Sequence, residues 1–271
     1  MPPVRPQPLS DLPRASLARV VGVMTDIDDT LTRDGAIEAE ALAALHALHG
    51  ARVPVIAITG RPCGWSEPFA RPPPQGWPVA AIVPENGALA LIREGDALHT
   101  EYVQDEATRA RNAQRLREVA ARVLREVPGA TLARDSAGRV TDIAIDHSEF
   151  ANLDDVAIEH VVAMMRSEGM TATVSSIHVN GWFGAHDKLS GARWMVRRLF
   201  GRELDAERER WIYVGDSTND QAMFGYFPHS VGVANLRDFA AQLHTWPAFI
   251  TEGERGAGFA EVAARVIAAR A

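Results

Sequence analysis

Short apolar runs without polar alternation recur in the first and last thirds of the chain, and stretches with apolar residues at helical spacing separate them. The runs fall at residues 20–24, 53–58, 79–83, 211–214, 230–233 and 248–250. A strand that reads apolar on both faces is buried on both, as in a parallel sheet covered by helices. Helical spacing through Ile37, Leu42, Leu45 and Leu48 stops at Gly50, so the first two runs and the helix between them predict a β–α–β unit. Leu189, Ala192, Val196 and Leu199 repeat the pattern before the fourth run. One helix is predicted between the last two runs and another over residues 258–270. The alternation predicts an α/β fold with a doubly wound, Rossmann-like parallel sheet.

Residues 88–185 follow a different pattern. They open with a hairpin over 89–99 around Gly95, followed by a long amphipathic helix with Leu116, Ala120, Val123 and Val127 on one face. Val140, Asp142, Ala144 and Asp146 then interleave with Thr141, Ile143 and Ile145, as expected of a strand with one wet face. A helix over 153–168 and strands over 171–175 and 177–183 complete the segment. This order predicts an α+β domain inserted into the parallel one, with residues 18–87 and 186–271 forming the core around it. Residues 1–17 are proline-rich and lack periodicity, so they read as an extended or disordered leader.

Charge and composition narrow the classes of function. A formal net charge of −7 over 271 residues argues against nucleic acid or an anionic membrane as a partner. It still allows a small anion drawn to a local positive site. Arg109, Arg111, Arg115 and Arg122 on the long helix are interspersed with Glu118 and Glu126 and lack aromatic company, which marks a solvated face rather than a basic patch. No apolar run reaches the ~18 residues of a spanning helix. The N-terminus carries proline and arginine where a secretion signal would be apolar, and Cys63, the single cysteine, cannot form an internal disulfide. A cytoplasmic location is expected.

Candidate chemistry concentrates where strands end. The first run terminates in Asp26-Ile27-Asp28-Asp29-Thr30, and carboxylates this crowded destabilise one another unless a cation offsets them. A hard divalent ion such as magnesium, with oxygen ligands and a phosphate, suits such a cluster. Gly215-Asp216-Ser217-Thr218-Asn219-Asp220 brings a second acidic group to the same sheet edge. Thr59-Gly60-Arg61-Pro62 offers a hydroxyl and free N–H groups at a helix start, a cradle for an anion. Lys188 opens a predicted helix on the unfavourable side of its dipole, at a cost of roughly a few tenths of a kcal/mol, which an anion sharing the site would explain.

These motifs, in this order, resemble those of the haloacid dehalogenase superfamily of phosphohydrolases, in the Cof-like group (subfamily IIB) with a large C2-type α+β cap after the third core strand. Asp26-x-Asp28-x-Thr30 resembles the first motif, Thr59 the second, Lys188 the third and Gly215-Asp216-x-x-Asn219-Asp220 the fourth. Pro84-Glu85-Asn86-Gly87-Ala88 and the tail from Val233 to Gly258 are similar to the sugar phosphatases of that group. Asp29 departs from the pattern, since many relatives have glycine there. The resemblance implies a phosphatase using Mg2+ on a small phosphorylated metabolite, a sugar phosphate by analogy. Asp26 would be the nucleophile and Asp28 the general acid and base. Asp26, the Asp28 backbone carbonyl and Asp216 would hold the metal, with Asp220 in support. Thr59, Gly60, Lys188 and Asn219 would bind phosphoryl oxygens, and Thr30 would fix the nucleophile loop. A sugar phosphomutase shares these motifs. A phospho-accepting receiver domain shares some of them but lacks the insertion, and a non-catalytic binding module would show no turnover. His178, Asn180 and Trp182 share one face of a predicted strand, where they either meet substrate or pack the seam between the domains.

Overall fold

The computed structural model describes residues 6–72 and 74–270. Its main sheet has nine strands. Seven run parallel, in the spatial order Gln7–Pro8, Phe249–Ile250, Ser230–Gly232, Trp211–Gly215, Gly22–Thr25, Val55–Ile58 and Ala81–Val83. Leu89–Glu94 and Ala97–Tyr102 extend the last edge in antiparallel fashion. The central strands are buried along their whole length, which is why they read as continuous apolar runs. Gly22 has no side chain because the Trp211 ring lies over it; a Cβ there would sit 2.2–2.8 Å from three ring carbons.

Helices Ala39–Gly50 and Arg255–Arg270 cover one face around Val23, Leu45, Leu48 and Phe259. Helices Lys188–Phe200 and Gln221–Tyr226 cover the other around Met24, Met195, Val196 and Tyr213. From Gly22–Thr25 the chain proceeds outward in one direction through residues 55–58 and 81–83. It later returns to build 211–215, 230–232 and 249–250 on the other side. The strand order therefore reverses between Gly22–Thr25 and Trp211–Gly215, and their carboxyl ends flank the crevice where doubly wound sheets bind ligands.

A second body of four antiparallel strands, ordered Thr171–Val174, His178–Trp182, Asp142–Asp146 and Thr131–Leu132, carries helices Glu106–Glu126 and Asp155–Ser167 on one face. Its apolar cluster, built on Val123, Ile145, Val161, Met165 and Val179, is separate from both clusters of the main sheet. Among the described residues no helix is long and apolar enough to cross a membrane.

Several expectations need correction. The hairpin expected to open the inserted domain belongs instead to the main sheet, because Leu91 and Ile92 pair with Ile82 and Ala81. The strand expected to have one wet face is buried on both, since its polar side lies against the core. Residues 6–17 do not form a loose leader. Gln7–Pro8 pair with Phe249–Ile250, and Leu9, Leu12 and Leu17 are buried in the main core. Residues 1–5 of that segment lie outside the described residues. Residues 234–239 form a 3₁₀ turn rather than the helix expected there.

Candidate active site

Asp26 is the first residue past its strand. Its N–H still donates to the Val214 carbonyl at 2.9 Å, which fixes the strand end beside Asp216. The chain then tightens, with Leu31 N donating to Ile27 O at 2.8 Å, and Asp29 adopts φ +51°. Glycine enters that region freely, whereas an aspartate must be held in it. Here Asp29 is held by its surroundings: Arg255 Nε lies 2.8 Å from its carboxylate, and Asn235 Nδ2 donates to its carbonyl at 2.9 Å.

Lys188 is the first residue of its helix, whose start is closed by a reciprocal Asp187–Ser190 capping box. The lysine is buried, with Nζ 3.0 Å from Asp26 Oδ1, 2.7 Å from Asp220 Oδ1 and 3.3 Å from Asn219 Oδ1. Burial alone would make its ammonium less basic, but Asp220 and Asp26 outweigh that and raise it. Asp220 is saturated. It also accepts from the Tyr213 hydroxyl and from the backbone N–H groups of Asp216 and Ser217.

Asp216 is less well served. Thr30 Oγ1 reaches its Oδ1 at 3.4 Å, while its Oδ2 is buried without a partner. Desolvation, with Asp26 and Asp220 adding repulsion, pushes the Asp216 carboxyl well above the usual range. Burial also lifts Asp26 to about 7, against the pull of Lys188. Oxygens from Asp26, Asp216 and Asp220 lie within 4.8 Å of one another. An orphaned buried carboxylate oxygen facing two further carboxylates fits a hard divalent cation, which supplies the missing charge and coordination.

The structure thus brings Asp26, Thr30, Lys188, Asn219, Asp216 and Asp220 into one hydrogen-bonded cluster. Asp28 points elsewhere, with both carboxylate oxygens against Arg61 Nε at 2.8 and 3.0 Å. Burial still raises its proton affinity in spite of that arginine. Thr59 is buried, and its hydroxyl accepts from Arg61 N at 3.0 Å. Gly60 sits tightly, since a Cβ would lie 3.3 Å from both Asn180 Oδ1 and Asn86 Nδ2 and one of those amides would have to give.

The groups missed by sequence reasoning are those that close the cap onto the core. Arg61, only 4% exposed, also pairs with Asp135 at 3.1 Å and Glu149 at 2.8 Å, both from the second body. Glu85, at φ +49°, accepts from Cys63 N in the core and from Val140 N, Thr141 N and Thr141 Oγ1 across the seam. Arg139 and Asn180 donate to the Gly60 carbonyl at 2.9 and 3.3 Å. Backbone curvature at Pro84-Glu85-Asn86-Gly87 was the one available signal; partners more than 50 residues away leave no local trace. His178 pairs with Glu149 at 3.0 Å, and Trp182 is buried, stacked on His186 with its N–H on the His186 carbonyl at 2.9 Å.

Residues 23–117 match the family model of haloacid dehalogenase-like hydrolases. Several solved structures share the whole fold at low identity. A Thermoplasma acidophilum protein is 15% identical with TM-score 0.67, covering 91% of this chain and 98% of its own. The sucrose-phosphatase of Synechocystis, solved with sucrose and phosphate, is 16% identical with TM-score 0.64, covering 91% and 97%. The C-terminal domain of the C. albicans trehalose-6-phosphate phosphatase is 12% identical with TM-score 0.67, covering 99% of each chain. No curated protein matched by sequence. The likeness in sequence to haloacid dehalogenase-like hydrolases is thus carried by residues 23–117, and the likeness to the solved structures is one of fold over nearly the whole chain.

Proposed function

We propose that the protein is a magnesium-dependent phosphatase that hydrolyses a small phosphorylated metabolite, a sugar phosphate, through an aspartyl phosphate on Asp26. The observation that carries this reading is the convergence of Asp26 and Asp216 from adjacent strand ends beside a buried Lys188, with one Asp216 oxygen unpartnered. Asp26, Asp216 and the Asp28 backbone carbonyl would hold Mg2+. Bound there, the ion would offset the clustered carboxylates and draw charge from the phosphoryl oxygens.

The chain's own groups would do the rest. Asp26 attacks phosphorus while Lys188, Asn219 and the Thr59–Gly60 loop receive the equatorial oxygens, whose charge this chemistry must stabilise. Asp28 gives its proton to the leaving oxygen as the ester bond breaks, then takes one from the water that cleaves the aspartyl phosphate. Such proton transfer contributes typically ~10²–10⁴ in rate. Its raised proton affinity suits the first step, and Arg61 beside it suits the ionised form that follows. The cap, tied down through Arg61, Glu85 and Arg139, would exclude bulk water. The sugar-phosphatase neighbours support the substrate class by analogy of fold.

Hydrolysis of p-nitrophenyl phosphate should vanish in EDTA and return with Mg2+; turnover indifferent to chelation would contradict the metal assignment. Phosphate release across a panel of phosphorylated metabolites then tests the substrate class.

A further inference from the structure

Beside Asp28, between core and cap, lies a cleft of about 460 Å³. It rests on the proposed phosphatase reading that the leaving group sits here, because the group that protonates the leaving oxygen must touch it. Four carboxylates line the cleft, Asp28, Asp29, Asp34 and Glu149, against two guanidiniums, Arg61 and Arg255. Neither arginine is free to receive an anion. Arg61 is shared among Asp28, Asp135 and Glu149, and Arg255 between Asp29 and Glu254.

Glu149 is the carboxylate the cap contributes. Against partial burial, His178 and then Arg61 hold it ionised, at about 2. The cleft also offers hydroxyl and ring contacts. Ser176 Oγ is buried without a partner on its wall, and the Phe150 ring stands at its edge, 57% exposed with Arg134 over one face. Hydroxyls and an aromatic face suit a polyol with C–H surfaces, whereas surplus negative charge repels a second anion.

We propose that this cleft selects leaving groups by charge: it admits uncharged or amine-bearing sugars and rejects those with a second anionic group, with Glu149 as the residue that sets the preference. The test compares kcat/KM within two pairs of esters at saturating Mg2+. Glucose 1-phosphate against glucuronic acid 1-phosphate adds one carboxylate, and glucose 6-phosphate against glucosamine 6-phosphate adds one amine.

The added carboxylate should lower kcat/KM by about tenfold or more, the scale of one uncompensated like charge a few ångströms away at intermediate dielectric. The added amine should not lower it. Glu149→Gln should narrow the carboxylate ratio at least about threefold, mostly through KM of the acid. A ratio between two substrates is insensitive to the fraction of enzyme folded, so a poorly folded variant still reports. Equal or better use of the sugar acid overturns the inference, as does a ratio unmoved by Glu149→Gln. Hydrolysis of p-nitrophenyl phosphate but of none of the four sugar esters also overturns it while leaving the phosphatase reading intact. No hydrolysis of any ester would remove both.

Discussion

Replacing Asp26 by asparagine should make the metal-free protein more stable while destroying its activity. Asp26 is 3% exposed and carries a proton affinity raised from 3.8 to about 7. A carboxyl raised in the folded state favours folding fully below its unfolded value and loses that contribution as pH climbs through the folded one. At roughly 1.4 kcal/mol per pH unit, the rise corresponds to about 4 kcal/mol that the ionised side chain costs the metal-free fold at pH 8. Asparagine keeps the shape without the charge, and Lys188 keeps Asp220 as its partner at 2.7 Å. Allowing for relaxation, a gain of about 2–4 kcal/mol is expected, or about 5–10 °C in Tm for a chain of this size. The assay is thermal unfolding of both proteins in EDTA at pH 5 and pH 8, with p-nitrophenyl phosphate turnover in parallel. The variant's advantage at pH 5 should be less than half of its advantage at pH 8, since the two proteins converge only as pH falls to the unfolded value of 3.8. Mg2+ should then stabilise the wild type more than the variant. Turnover should fall by about 10³-fold or more, as for loss of a nucleophile. A variant no more stable than wild type at pH 8, or an advantage that does not change with pH, would refute the electrostatic account of the site.

Two further substitutions probe the scaffold. Glu85→Ala leaves the N–H groups of Cys63, Val140 and Thr141 without their acceptor, and at about 1 kcal/mol each should cost about 3 kcal/mol by urea midpoint and speed limited proteolysis at the seam. Gly22→Ala forces a methyl into the Trp211 ring and should cost about 1–3 kcal/mol in the same assay, with kcat per folded molecule retained.

The parallel strands were legible in the sequence because burial on both faces leaves an uninterrupted apolar run, as at residues 22–25 and 211–215. Asp26 and Asp216 followed, since carboxylates crowded at the ends of such strands destabilise one another unless a cation offsets them. The Leu89–Glu94 hairpin was assigned to the wrong body because nothing in its own pattern says which sheet it joins; pairing with Ala81–Val83 is decided by what lies beside it. Gln7–Pro8 escaped for the reverse reason. A two-residue strand bearing proline has no periodicity, and proline is tolerated where an edge needs no donor. The partners of Arg61 were invisible because Asp135 and Glu149 reach it only after another sheet has folded.

The three apolar clusters stop short of the seam, where contact is carried by carboxylates, guanidiniums, amides and carbonyls. Such a joint can part without baring an apolar face, because each broken bond is replaced by one to solvent. The same separation makes the lid interchangeable in principle: its interior solidity owes nothing to the body beneath, and a different cover could be fitted over the same carboxylates.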